Sequence, residues 1–287
     1  MSFLLGSDPE LMLVDKTTGI LRSAIPLIDG TKERPLKIPN GQVIHDNVNL
    51  EFGIEPASNE NEWVDRTGSV LKYISKMIPD NLEMRAIASA NFPESELEHP
   101  KAKEFACDPD FDPYDFIINF IPDGAANDTL RSCGGHVHIG DDFVSASVDS
   151  QSDAAKVMDI FLGLPSLLLD KDPTSHRRRK LYGKAGAHRP KPYGVEYRAI
   201  GNFWVSSPEM TRIIYRLVRD GLAAWKDGHL KEVQWSLVRK TINQNNLAKA
   251  EQAIKGLVLP LLQQDSRDLL AKCFEMGETN LYEAWSI

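Results

Sequence analysis

The stretch Gly134-Gly-His-Val-His-Ile-Gly140 alternates two residue classes: His136 and His138 against Val137 and Ile139. Successive side chains of a strand point to opposite faces, so a strand here has one apolar face and one imidazole face. The same split recurs twice. In GVEYRA (194–199), Val195, Tyr197 and Ala199 share a face, leaving Glu196 and Arg198 on the other. In VNLEFGI (48–54), Val48, Leu50, Phe52 and Ile54 share a face, leaving Asn49 and Glu51. Near the N-terminus, Glu10 heads the stretch ELMLV behind Gly6-Ser7-Asp8-Pro9. A solvated sheet face normally carries Thr, Lys, Ser and Gln; this one carries Glu, His and Arg. Hard divalent cations take oxygen ligands and are completed by substrate phosphates, and Arg clamps phosphate oxygens bidentately. The pattern therefore points to a metal or phosphate site on a sheet.

Working outward, LMLVD, KTTG and ILRSA read as a hairpin around a Gly-containing turn. VIHDN is a further strand, a helix fits Glu62–Ile78, and Met84–Ala90 reads as a strand. Phe105–Asp128, rich in Asp and Pro, is expected to be irregular. SASVDSQSD (145–153) is expected to be a surface loop or linker. The second half is mostly helical: Ala154–Leu169, broken at Pro165, a helix opening at Ser206-Ser207-Pro208-Glu209 and running to about Trp225, then Leu230–Ile242, Leu247–Leu262 and Ser266–Phe274. The strand between these halves is expected to continue through GVEYRAIGNFW. These elements give an α+β class in one domain, residues 1–287, strand-rich over 1–204 with a helical layer over 205–287.

Ser175–Arg198 holds eight Lys/Arg and one acid, in a chain with 33 basic and 41 acidic residues and a net charge of −8. The acidic balance argues against a general nucleic-acid-binding protein. The basic segment, with Gly183, Gly186 and Gly194, is expected to be a mobile loop that clamps polyphosphate. The most apolar window, Ile160–Leu169, is too short to span a membrane. MSFLLGSDPE lacks a basic n-region, and Cys107, Cys133 and Cys273 form no CxxC, so a cytoplasmic chain with reduced thiols is expected. There is no GxxxxGK[ST], GxGxxG helix start, GxSxG or HExxH. Cys107 sits among acids that raise a thiol pKa, so no covalent nucleophile is expected.

Taken in order, GSDPE, DNVNLEFGIEPA, RSCGGHVHIG and RRRKLYGKAGAHRPKPYGVEYRAIGNFW resemble the phage-encoded COOH–NH2 ligase type, within the glutamine-synthetase-like carboxylate–amine ligases. The resemblance covers roughly residues 6–204. It implies a curved antiparallel sheet forming a funnel, with helices packed outside and substrates on the concave face. It implies ATP-dependent joining of a carboxylate to an amine through an acyl phosphate, with Mg2+ or Mn2+. On the matching positions, Glu10, Glu51 and Glu196 would be metal ligands, and His136 or His138 would lie by a metal or the ATP phosphates. Arg198 with Arg189 would clamp the γ-phosphoryl, joined by Arg178 or Arg179; Lys184 would belong to the same nucleotide-binding group. Asp46 and Asn49 would be secondary. Many members of the superfamily carry an ExE pair where this chain has Glu10 with Asp8 or Met12. The partners implied are small-molecule or peptide carboxylates and amines, in a host bacterial cytoplasm if the chain is phage-encoded.

Two other classes fit the residues. HxH on a strand occurs in metal-dependent hydrolases, in which His136 and His138 would bind zinc. A non-catalytic phage binding protein on the same fold is the other.

Overall fold

The computed structural model describes residues 2–103, 109–119 and 129–287. The long strand β1 (Leu4–Asp15) is central and is joined by β2 (Leu21–Arg22), β3 (Leu36–Ile38), β4 (Gly41–Asp46) and β5 (Asn49–Ala57). After α1 (Glu60–Ser75) come β6 (Leu82–Arg85), β7 (Ser89–Asn91), β8 (Asp110–Asp112), β9 (Ile117–Asn119), β10 (Leu130–Ser132) and β11 (Gly135–Gly140). The helices α2 (Asp142–Ser145), α3 (Val148–Met158), α4 (Leu164–Leu169) and α5 (Ser175–Leu181) precede β12 (His188–Lys191) and β13 (Gly194–Tyr197). The chain then closes with α6 (Pro208–Lys226), α7 (Trp235–Asn243), α8 (Leu247–Ala253), α9 (Gln264–Glu275) and α10 (Leu281–Trp285).

The strands form an open antiparallel sheet in the order β3-β4-β5-β1-β11-β13-β12-β8-β9, with β2 and β6 paired to β1; β7 and β10 make a separate pair. Alternation assigns the two faces. Leu5, Leu11, Leu13, Leu50, Phe52, Ile54, Val137, Ile139, Val195 and Tyr197 all enter one core with the helices. Trp63 of α1 stacks on Trp204 at 5.3 Å between ring centres and donates to the Thr211 carbonyl of α6 at 2.9 Å. The other face carries the polar residues described below and, at its far end, a small cluster that includes Met12, Val14, Val48, Phe92 and Cys133. No helix among the described residues is long and apolar enough to cross a membrane.

Several expectations are corrected. Val48 does not share the core face with Leu50: it lies in a turn, beside Asn47 at φ +54°, and packs in the small cluster. β1 does not begin at Glu10 but runs through Pro9, which lies opposite Gly135, where no side chain intrudes. GVEYRAIGNFW stops being strand at Tyr197, and Asn202–Ser206 is a 3-10 turn. Met84–Ala90 is divided between β6 and β7. The described part of Phe105–Asp128 holds the β8–β9 hairpin; Cys107 lies outside the described residues. The Ser-rich segment is not a linker: Ser147 caps α3 by accepting from Ser150 N, and buried Gln151 donates to the Lys191 and Gly194 carbonyls at 2.7 Å each. The cap of α6 is Ser207, not Ser206.

Pro165 does not break its helix. A π turn, Asp159–Gly163, lies between α3 and α4 and places Pro165 in the first turn of α4, where a missing N–H costs nothing. Asp159, fully buried in that turn, accepts from Tyr197 Oη (2.7 Å), Tyr114 Oη (2.6 Å) and Gly186 N (2.8 Å). Burial pushes its carboxyl up to about 7, against the pull of those three donors.

Two stability predictions follow from this packing. A Cβ on Gly135 would stand 2.1 Å from the Gly201 carbonyl oxygen and 2.7 Å from Trp204 Nε1, both in rigid surroundings. Gly135→Ala should therefore destabilise by about 1–3 kcal/mol or more, read as a lower urea midpoint. For Asp159 the folded pKa lies above the unfolded one, so the folded state holds the proton longer. Its contribution to stability is full below about pH 4 and is lost as pH rises to about 7, a change on the order of a few kcal/mol. Asp159→Asn should lack that share of the slope when urea midpoints are compared across this range.

Candidate active site on the polar sheet face

Register brings the polar residues into rows. Glu10 of β1 lies opposite Glu51 of β5, and Asp8 opposite His136 of β11. His138 lies opposite Glu196 of β13, and Glu196 opposite Arg189 of β12. Asp46, at the end of β4, pairs with Asn49. Arg198 follows β13 and extends its pairing through its N–H to the Ala187 carbonyl, at 2.8 Å.

On one side stands a carboxylate group. Glu10, Asp46 and Glu51 each present an oxygen within 4.8 Å of the other two. Buried Asn49 donates to Glu10 at 3.1 Å and to the Ser132 carbonyl at 3.0 Å, while its Oδ1 has no hydrogen-bond partner among the described residues. Burial, then Asp46, pushes Glu10 up to about 8, although Arg178 and Asn49 pull the other way. Burial, together with Asp8, Glu10 and Asp46, holds Glu51 well above the usual carboxylate range. Against these three acids stand only partial compensations, the buried Arg178 and the half-exposed Lys32, 3.0 Å from Asp46. An all-oxygen set with a spare buried carbonyl fits a hard divalent cation such as Mg2+.

On the other side is a mixed group: Asp8, His136 and Glu196 also lie within 4.8 Å of one another. Its contacts differ in kind. Glu196, fully buried, pairs with Arg198, with Lys191 at 2.7 Å and with Arg189 at 3.5 Å. Arg198 also approaches His136 Nδ1 at 3.2 Å and Asp110 at 3.6 Å. Asp8 Oδ1 stands 3.2 Å from His136 Nδ1 and 3.1 Å from His138 Nε2, out of line for hydrogen bonds, and is left buried without one among the described residues. His138 Nδ1 contacts Tyr193 Oη at 2.6 Å. Burial and Asp8 both work against ionising Glu196, but Arg198 and the two histidines overcome them and hold it at about 2. His138 and His136 likewise overcome burial to hold Asp8 well below the usual range. Burial and Arg198 push His136 down to about 4 despite Asp8, whereas Asp8 overcomes burial to raise His138.

The basic segment is not a mobile loop. It contains α5, and Arg178 is buried with its guanidinium donating to the Arg198 and Ala199 carbonyls at 3.2 Å each. Burial lowers Arg178 to about 10 despite the attraction of Glu10. Arg178 therefore steadies the backbone that presents Arg198. Arg179 is buried and is attracted most by Asp170, and among the described residues no ion pair is seen for Lys184; neither is seen paired with the site carboxylates. The structure does bring together Glu10, Glu51, Glu196, His136, His138, Arg189, Arg198 and Arg178. The site also contains Asp8, Lys191 and Asp110, which sequence reasoning left out of the functional set. Asp8 shares alternation with Glu10, a signal that Pro9 masks; Lys191 and Asp110 are visible only through the β12–β13 and β8–β12 pairings. Among the described residues, no three-ligand group contains both histidines.

Arg198→Ala should release Glu196 from its closest partner and leave a buried carboxylate under-compensated. The loss in stability should be about 2 kcal/mol or more by urea denaturation, and it should be largest near neutral pH, where Glu196 is ionised.

No curated protein matches the chain. Residues 123–263, just under half of the chain, match the family model described as Phage phiEco32-like COOH.NH2 ligase-type 2, and the matched segment carries His136, Glu196 and Arg198.

Proposed function

We propose that the protein is an ATP- and Mg2+-dependent carboxylate–amine ligase, acting on a small-molecule or peptide carboxylate and amine. The observation that carries this is the juxtaposition, on one sheet face, of three undercompensated carboxylates and a row of buried or half-buried cations. The family match supports ligation. The carboxylates lie outside the matched residues and argue for the metal independently. A glutamine-synthetase-like reading of the open antiparallel sheet, with substrates on the polar face, belongs to the same proposal.

Phosphoryl transfer asks the protein chiefly for positioning and charge neutralisation. Glu10, Asp46 and Glu51 would hold Mg2+, which would neutralise phosphate oxygens. Arg198, Arg189 and Lys191 would face the γ-phosphoryl and stabilise its developing charge. Arg178 keeps Arg198 in place through two carbonyls. A substrate carboxylate oxygen bonds to the γ-phosphorus as the bond to ADP breaks. The amine then bonds to the acyl carbon, its proton leaves to solvent or a site carboxylate, and phosphate departs with the former carboxylate oxygen. No protein nucleophile is needed, and buried Cys133, its thiol raised by burial, offers none.

Calorimetric titration with ATP in the presence of Mg2+ should show metal-dependent binding by the wild type that is lost in Glu51→Gln. Amine-dependent ADP release should fall on the order of 10²-fold or more in that variant, with the circular dichroism spectrum unchanged. A folded wild type that binds no nucleotide with any divalent metal would sink the ligase reading and favour a binding protein.

A further inference from the structure

The two acidic groups on this face look alike in residue type but are not alike in charge. Around Glu196 the protein supplies its own cations. Arg198, Lys191 and Arg189 all reach its carboxylate, which has no exposed surface. Opposing them are Glu196, Asp8 and Asp110, so the group is near balance before any ligand arrives. Around Glu51 the balance is three carboxylates against half-exposed Lys32 and Arg178, whose guanidinium is engaged by two backbone carbonyls.

His136 decides the matter chemically. A guanidinium has only donors, so an unprotonated Nδ1 accepts from Arg198 Nη1 at 3.2 Å, whereas a protonated one faces Asp8 Oδ1 at 3.2 Å. In neither tautomer does Nδ1 offer a free lone pair towards Asp8 and Glu196. A divalent ion placed there would lose the imidazole ligand and would compete with Arg189, Lys191 and Arg198 for the Glu196 carboxylate. At Glu10, Asp46 and Glu51 the paired cation is Lys32, 3.0 Å from Asp46, on a half-exposed side chain with room to swing into solvent.

We infer that Glu196 is not a metal ligand in this chain but an internal anion that holds Arg189, Lys191 and Arg198 together until a phosphate group displaces it. The protein alone accordingly binds one divalent cation, at the Glu10–Asp46–Glu51 group. The inference rests on the ligase reading for the identity of the incoming phosphate, but the metal count does not. The cations then form a preassembled oxyanion clamp, with the buried carboxylate preventing their mutual repulsion while it is empty.

The test is a titration of the purified chain with Mn2+ alone, following free Mn2+ by electron paramagnetic resonance. One site per chain is expected, lost in Glu51→Gln and retained in Glu196→Gln. Asp8→Asn, at a more exposed member of the group, should also retain it and serves if Glu196→Gln does not fold. In metal-free buffer, inorganic tripolyphosphate should bind Glu196→Gln about tenfold more tightly than the wild type, because no internal anion competes. Two sites in the wild type, one of them lost in Glu196→Gln or Asp8→Asn, would overturn the inference while leaving the ligase reading intact. So would tripolyphosphate affinity that is unchanged or weaker in Glu196→Gln. No Mn2+ bound by the wild type alone would overturn the inference, whereas the ligase reading falls only if nucleotide with metal also fails to bind.

Discussion

The register of β1 between β5 and β11 is the constraint on which the rest depends. β1 pairs antiparallel with β5 and β11, and near its end with β2 and β6. One of its faces supplies Leu5, Leu11 and Leu13 to the main core; the other supplies Asp8 and Glu10, then Met12 and Val14 to the small cluster. Side chains alternate with a period of two, so a slip of one residue would drive Glu10 into the core and Leu11 among the carboxylates. The penalty on both faces makes that slip prohibitive. The same apolar faces that fix the pairing therefore fix which carboxylates meet.

This explains why part of the molecule was legible in the sequence. β5, β11 and β13 show strict alternation, and the structure confirms their faces: Phe52, Val137 and Tyr197 inside, Glu51, His136 and Glu196 opposite. What failed were judgements from composition. The Ser-rich segment is helical because its Gln151 and Ser152 are buried and Gln151 finds backbone partners, a tertiary fact that local polarity contradicts. The basic segment became α5 because carbonyls at Arg198 and Ala199 receive Arg178. Long-range pairing, not local sequence, put Lys191 and Asp110 beside the site.

The site is electrostatically uneven, and the unevenness has a cost. Carboxylates whose protons are hard to remove stand next to a carboxylate that is ionised far below its ordinary range. Asp8 lies between them, raising Glu51 on one side while it is itself held down by His138 and His136 on the other. Such arrangements are rarely optimal for stability and are kept where a ligand completes them. The apolar layer beneath, from Leu5 to Trp204, is what tolerates that cost.

The π turn at Asp159–Gly163 amounts to one residue more than a regular helix would need. Each residue of an α-helix turns the chain by about 100°, so the surplus sets the rotational phase of α4 relative to α3. Removing one residue there would let the helix close regularly and carry Pro165 into a helix interior. It would also withdraw Asp159 from Tyr197, next to Glu196, and from Gly186, in the turn that leads into β12. The helical layer is thus locked to the sheet by chain length as well as by packing. Single-residue insertions and deletions, commonly tolerated in surface loops, should be as restricted in this buried turn as in the strands of the site itself.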